Sequence, residues 1–328
     1  MLVTGFASLA SLASLASLAS GCEAGGQPPP VPVPASLSWS VLPDAPTLRT
    51  EVTAAAAGTS IYVMGGYTAD GATSDTVEVL STETGRWQTG VPLPSAVNHA
   101  MSATVDGTVY IFGGYRSDGT PSSAAYRFDG SGWRPVADLP EPRAAGTAVG
   151  VSGRVYLAGG IGPRKALADR MLVYDIAADR WSTAPGPPTA REHLGGAGFG
   201  GLVYTVGGRT AKGNLAAFES YDPRTGAWTK LADLPTPRGG LGAAAVCTGH
   251  VVAVGGEAAT TFKEAEAFDV KSGRWLALPP LPLARHGLGV AAVGSRLFTL
   301  AGGPQPGLHV SAAAQSIDLG PLRSCAAG

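Results

Sequence analysis

Residues 202–228 read LVYTVGGRTAKGNLAAFESYDPRTGAW, and this stretch is one copy of a motif that the chain repeats. Successive glycine doublets stand 48, 46, 48, 48 and 47 residues apart, at Gly65-Gly66, Gly113-Gly114, Gly159-Gly160, Gly207-Gly208, Gly255-Gly256 and Gly302-Gly303. The tryptophans follow the same period, at Trp39, Trp87, Trp133, Trp181, Trp228 and Trp275. A repeat of about 47 residues indicates an array of equivalent supersecondary units.

Each unit has the pattern of four short strands. A run of small residues such as 54–57 precedes an alternating apolar run that ends on the doublet, as in 61–64. A third run ends in an aromatic-Asp pair such as Tyr221-Asp222, and a fourth begins near the tryptophan. Short runs separated by turn residues predict antiparallel sheet. Four-stranded units arranged radially form a β-propeller, whose crowded axis suits small first strands.

The two ends of the chain predict how the ring closes. Trp39 has no doublet before it, and the last doublet has no tryptophan after it. Residues 36–41 therefore have the pattern of a fourth strand, and residues 287–319 that of the other three. We expect an all-β fold, a six-bladed propeller over 36–319 whose N-terminal strand completes the last blade and leaves no open edge.

The order and period of doublet, aromatic-Asp pair and tryptophan resemble those of the kelch family, over about residues 36–319. The resemblance implies a kelch-type propeller that acts as a binding or scaffold protein for a protein, peptide or glycan. As an alternative it implies a sugar-active enzyme of the exported sialic acid mutarotase type. In that case the groups at the channel mouth would be Glu51, Arg191, Glu192 and His193.

Composition excludes several other functions. The net charge is −1 and only 14% of residues are charged, so the chain lacks the overall basic field of a nucleic-acid-binding protein. No glycine-rich phosphate loop opens a helix, and no nucleophile elbow is present in the sequence. We expect a monomeric binding protein without a cofactor or metal, and the sugar-active enzyme is the alternative.

The first 35 residues have the composition of a targeting segment. Residues 1–21 form a short apolar run that ends in small residues before Cys22, the pattern of a bacterial lipoprotein signal. Lipidation at Cys22 would make this anchor the only membrane contact, in the bacterial cell envelope. The alternative is a plain secretory signal that is cleaved nearby. Residues 22–35 are rich in proline and predict a semi-rigid tether.

An arginine stands ten residues after five of the six tryptophans, at Arg49, Arg143, Arg191, Arg238 and Arg285. Blade two has Val97 instead. Exposed at the channel mouth, these arginines would bind carboxylates through bidentate hydrogen bonds. Alternatively, each pairs within its own blade with a third-strand carboxylate such as Glu78, Glu219 or Glu266, or with loop carbonyls.

Positions that differ between blades are the other binding candidates. Long connections are predicted on one face of the ring, and binding residues usually lie on such loops. The kelch resemblance places ligand contacts after the arginine and after the doublet. Here those positions hold Glu51, Asn98, His99, Glu192, His193 and His286, then Tyr67, Tyr115, Arg116, Arg209 and Glu257. Histidines from three separate blades are weak support for a metal site, so we interpret them as surface or hydrogen-bonded side chains.

Two cysteines remain besides Cys22. Cys247 ends the first strand of blade five, and Cys325 lies in the tail 320–328. In an oxidising compartment we expect them to form a disulfide, because about six extended residues reach from the end of blade six to its neighbour. The alternative is a buried thiol and a loose tail.

Overall fold

Six four-stranded sheets form a ring in the computed structural model, which describes residues 1–2, 30–323 and 325. Within each of the first five blades the strands pair antiparallel in chain order, and first strands of adjacent blades contact each other around the whole ring. The strands of the six blades are Thr53–Ala57, Ser60–Met64, Val77–Ser81 and Trp87–Thr89; Met101–Val105, Thr108–Phe112, Ala125–Phe128 and Trp133–Pro135; Thr147–Val151, Arg154–Ala158, Arg170–Asp175 and Arg180–Pro185; Gly195–Phe199, Leu202–Val206, Phe218–Asp222 and Ala227–Lys230; Gly242–Val246, His250–Val254, Ala265–Asp269 and Arg274–Ala277; and Gly289–Val293, Arg296–Leu300, Ala314–Asp318 and Trp39–Leu42. The predicted six-bladed propeller is confirmed.

Short elements lie in the long connections. Arg49–Thr50 pairs with Tyr67–Thr68, and Arg209–Thr210 pairs with Gly213–Asn214. One 3₁₀ turn spans Pro163–Lys165. These elements shape the loops on the face where the connections are long.

The last blade is completed from the N-terminus, as the sequence predicts. The strand Trp39–Leu42 pairs antiparallel with Ala314–Asp318, with Trp39 opposite Ile317. The observed strand begins three residues later than the predicted 36–41, but Leu37 is buried and packs in the same core cluster as Ile317. With this pairing the last blade also has four strands, and the two ends of the chain are joined in one sheet.

Each tryptophan joins its blade to the preceding one. All six indole N–H groups donate to a backbone carbonyl at the end of the previous blade's fourth strand or just after it, at 2.8 or 2.9 Å. At the closure, Trp39 donates to the carbonyl of Pro279, 240 residues away in the chain. The period of the tryptophans therefore reflects one contact made six times.

The glycine doublets also join adjacent blades. The backbone N–H of the second glycine donates to the carbonyl at the arginine position of the next blade, as Gly160 does to Arg191 at 2.9 Å. In blade six, Gly302 makes this bond, to Arg49, and Ala301 takes the first position in a left-handed conformation with φ of 55°. The structural pair is thus Ala301-Gly302, which corrects the predicted Gly302-Gly303 by one residue.

The predicted tether 22–35 is shorter than expected at its C-terminal end. Val31–Pro32 pairs in parallel with Leu276 and Ala277 and adds a fifth strand to blade five, although the sequence predicts antiparallel pairing throughout. Val33 packs against the core beside it. The apolar run 1–21 and Cys22 lie, apart from residues 1–2, outside the described residues. Among the described residues, no helix has the length and apolar character needed to span a bilayer.

The C-terminal tail is fixed to blade five. Cys247 and Cys325 form a disulfide with their Cα atoms 5.0 Å apart. Arg323 donates to Asp269 at 2.9 Å, and Leu322 packs against the core at the junction of blades five and six. The tail thus adds a covalent link on the face opposite the long loops.

Candidate binding site at the channel mouth

The five repeated arginines are buried inside the blades. Each side chain is 0% exposed. Each guanidinium donates to the carbonyl of the first residue of the doublet position in its own blade, at 2.6–3.1 Å. This burial contradicts the ligand-binding interpretation of Arg49, Arg143, Arg191, Arg238 and Arg285. They hold the doublet turn against the sheet.

Four of the five arginines form an ion pair with a carboxylate. Arg49, Arg191 and Arg238 pair with the predicted third-strand carboxylates Glu78, Glu219 and Glu266 at 2.8, 2.6 and 2.5 Å. The equivalent third-strand positions of blades three and six hold Leu172 and Gln315 in place of a carboxylate. Arg143 pairs instead with Glu141 at 2.5 Å, and Arg285 donates to the Gln315 side chain at 2.7 Å. Burial lowers the pKa of Arg285 to about 10.

Six equivalent residues, one per blade, surround the mouth of the central channel. We call Glu51, His99, Ala145, His193, Gly240 and Gly287 the mouth ring. All six have φ between 51° and 67°. Backbone hydrogen bonds of 2.8–3.2 Å join them in a closed circle, with Val52 as the donor in the last step. A non-glycine residue in this region costs about 1–3 kcal/mol, and such strain often marks functional sites.

Three polar side chains of the mouth ring meet near the axis. His99 Nε2 lies 3.1 Å from Glu51 Oε2, and the rings of His99 and His193 are 4.9 Å apart between centroids. Ala145 lies between these histidines in the ring and leaves them room to meet. Two tyrosines pack edge-on against His99, Tyr67 at 6.0 Å and Tyr115 at 5.5 Å.

Charged residues outside the mouth ring form a network of ion pairs that includes Glu51 and His193. His286 lies 3.1 Å from Glu51 and 3.5 Å from Glu257. Arg209 bridges Glu192 at 3.0 Å and Glu257 at 2.7 Å. Glu192 also hydrogen bonds to His193 Nδ1. The sequence candidates from blades one, two, four, five and six are thus brought into one connected cluster.

The pKa values of His99 and His286 are shifted in opposite directions. Burial lowers the pKa of His99 to about 4, which keeps its ring neutral near pH 7. Burial also acts to lower the pKa of His286, but hydrogen bonding and charge from Glu51 and Glu257 raise it above the ordinary value. The Glu51 carboxyl has its pKa held well below the usual range, because the surrounding histidines outweigh the effect of its burial.

A cleft of about 620 Å³ opens beside the cluster on the long-loop face. Its lining includes the predicted Tyr67, Tyr115, Glu192 and Arg209. Other lining residues were not predicted from the sequence, namely Ile161, Lys165 and Leu167 from the connection after the third doublet. Ile161 occupies the same position after the doublet as Tyr115, so the period could have identified it. Arg116, the remaining candidate, is exposed next to this cleft but does not line it.

Only three of the four residues expected to act in sugar interconversion lie at the channel mouth. Glu51, Glu192 and His193 do share the channel mouth. Arg191 does not, because it is fully buried and paired with Glu219. A sugar at the mouth would therefore lack the arginine that this alternative requires.

Comparison with known families agrees with the fold. The KLHDC2/KLHL20/DRC7 Kelch-repeats domain matches residues 51–187 and 134–303. This chain belongs to the kelch-repeat family. Within this kelch-repeat protein, the matched range begins at the mouth-ring residue of blade one and ends at the doublet of blade six.

Curated relatives with similar sequences carry kelch names. Over 214 residues the protein is 30% identical to Kelch-like protein terF of Aspergillus terreus, which covers 58% of this chain and 46% of the relative. It is 34% identical over 98 residues to human Kelch-like protein 25, and this match covers 27% of this chain and 17% of the relative. It is 28% identical over 198 residues to mouse Kelch-like protein 35, and this match covers 58% of this chain and 32% of the relative. The chain thus spans less than half of each of these relatives.

Proposed function

We propose that this kelch-repeat protein is a binding protein that receives a segment of a partner protein in the cleft on its long-loop face. Kelch-repeat propellers generally bind proteins. The observation that carries the proposal is the cleft of about 620 Å³, where residues that differ from blade to blade are gathered. The repeated arginines, by contrast, are buried inside the blades and do not reach the cleft.

The chemistry of the cleft suits a peptide segment. Tyr67 and Tyr115 offer flat apolar faces with a hydroxyl at the edge, a combination enriched where proteins bind one another. Ile161 and Leu167 add an apolar wall on blade three. Arg209 is half-buried and already held between two glutamates, so it lies fixed at the edge of the cleft with little rotamer freedom left to lose on binding.

Paired variants on the two faces of the ring test this proposal. Full-length protein carrying a photo-crosslinker at Lys165, exposed beside the cleft, would be compared with protein carrying it at Arg224 on the opposite face, whose side chain is 86% exposed. We expect one protein to crosslink from Lys165 but not from Arg224. Its affinity should fall by about 2 kcal/mol, roughly 30-fold, in Tyr115→Ala, as for a central aromatic contact.

A variant on the opposite face serves as the control. Arg224→Ala should leave affinity unchanged, because this exposed side chain lies on the opposite face and pairs there with Asp222. Crosslinking that is equal from the two faces, or affinity that survives Tyr115→Ala combined with Ile161→Ser, would refute a binding site in this cleft.

A further inference from the structure

The mouth ring directs three metal-ligating groups to one point. One ligand atom each from Glu51, His99 and His193 lies within 4.8 Å of the others. Zinc bonds of about 2.0–2.2 Å in a tetrahedron put neighbouring ligand atoms about 3.3–3.6 Å apart. The Glu51 Oε2 to His99 Nε2 distance of 3.1 Å already has this scale. A small rotation of the His193 side chain would complete the set.

Outer hydrogen bonds orient both histidines, and an ion-pair contact orients Glu51. The Asn98 amide donates to Thr73 Oγ1 at 2.9 Å, which turns its oxygen toward His99 Nδ1 at 2.6 Å. His193 Nδ1 is bonded to Glu192, and Glu51 Oε1 lies 3.1 Å from His286 Nδ1. Metal-ligating histidines usually donate their second nitrogen in this way. The atoms left to face the centre are Nε2 of both histidines and Glu51 Oε2.

The tautomer fixed by Asn98 leaves two acceptors facing each other. When His99 donates from Nδ1, its Nε2 carries a lone pair directed at Glu51 Oε2, 3.1 Å away. Two acceptors at this distance repel unless a proton or a metal cation lies between them. The contact therefore gives a metal cation a position between two ligand atoms that already face each other.

The ring leaves space for an ion and further ligands. A cavity of about 90 Å³ is lined by Glu51, His99 and His193. Opposite the histidines stand Gly240 and Gly287, and a Cβ at Gly287 would lie 2.6 Å from the Glu51 carboxyl carbon. A water occupies about 30 Å³, so a coordinated water fits beside the ion.

We propose that Glu51, His99 and His193 bind one Zn²⁺-class transition-metal cation at the channel mouth, with a fourth position open to the cavity. Two imidazoles and one carboxylate with an open position form a known kind of zinc ligand set. Imidazole ligands select transition metals over Mg²⁺ and Ca²⁺. The site cross-links blades one, two and four, and it shares His99 with the lining of the partner cleft.

Direct metal binding by tag-free, chelator-treated, full-length protein tests the site. We expect one Zn²⁺ per chain by calorimetric titration, a rise in melting temperature with added Zn²⁺, and no competition from excess Mg²⁺ or Ca²⁺. Asn98→Ala, which removes an outer hydrogen bond, should weaken Zn²⁺ binding about 10–100-fold. His193→Gln should weaken it further, because a ligand itself is lost. His309→Gln removes an exposed histidine outside the cluster and should leave binding unchanged.

Cobalt gives a readout that needs no variant. Co²⁺ bound to the wild type should show the intense visible bands of a four-coordinate site, and Zn²⁺ should abolish them. The proposal is overturned by the absence of stoichiometric binding and of these bands. It is also overturned if the double variant His99→Gln, His193→Gln remains folded by circular dichroism and binds Zn²⁺ as tightly as His309→Gln.

Discussion

The buried arginine-glutamate pair of blade four can be tested by a double-mutant cycle. Arg191 donates to Glu219, Gly207, Thr189 and Thr205 at 2.6–3.0 Å, and its side chain is fully buried. In Arg191→Met, the Glu219 carboxylate keeps only its two bonds from Thr189, at 2.8 and 3.1 Å. Removing one partner of a buried pair typically costs about 3–5 kcal/mol, because the other charge stays buried.

Replacing both partners should restore most of that stability. Blade two provides a natural precedent, since Val97 stands at the arginine position and Tyr126 stands at the position of the glutamate. Val97 is 5% exposed and packs in an apolar cluster with Leu93. We therefore expect the double variant Arg191→Met, Glu219→Leu to lie within about 2 kcal/mol of the wild type, since buried pairs exchanged for apolar groups are often near neutral.

The assay is equilibrium unfolding in urea together with thermal melting. A loss of about 3 kcal/mol or more should lower the melting temperature by roughly 6 °C or more at the scale of large domains. Val97→Arg serves as the converse control, because it buries a guanidinium in a blade without the carboxylate, and it should be as harmful as Arg191→Met. Single and double effects that simply add, or a single effect below about 1 kcal/mol, would refute this account of the arginines.

Two further predictions concern the ends of the chain. Trp39→Ala should lower the free energy of unfolding by about 3 kcal/mol, because it removes a partly buried aromatic ring and its bond to Pro279, and an unchanged melting temperature would contradict closure by this strand. Lipidation at Cys22 stays a prediction from the sequence. Cys22→Ser should remove a lipid adduct from the mass spectrum and release the protein from membranes, and a wild type without an adduct would end that hypothesis.

The repeat alone was sufficient to predict the ring. A contact made once per blade forces the same residue types to return at the same spacing, so the tryptophan bonds and doublet turns were visible as a period of about 47 residues. The unpaired ends, Trp39 and the last doublet, likewise implied closure. The same logic was less exact at blade six, where Ala301 replaces a glycine without changing the backbone conformation.

The candidate site was predicted only as a set of positions. The sequence selected Glu51, His99 and His193 because they vary between blades, but their distances depend on the size of the ring and on what lies between them. Ala145 and Gly287 decide this by leaving space for larger neighbours. In the sequence, the space left for a large side chain is visible only as a small residue at the equivalent position of another blade.

Tertiary structure decided which polar residues are free to bind. A repeated arginine looks the same in sequence whether it is buried with Glu219 or exposed at a mouth, because the period records only that a contact recurs. The fold closes solvent from Arg191 and opens the cleft beside Tyr115. The sequence by itself determined the architecture through repetition, whereas burial, which depends on all six blades at once, determined the chemistry of the site.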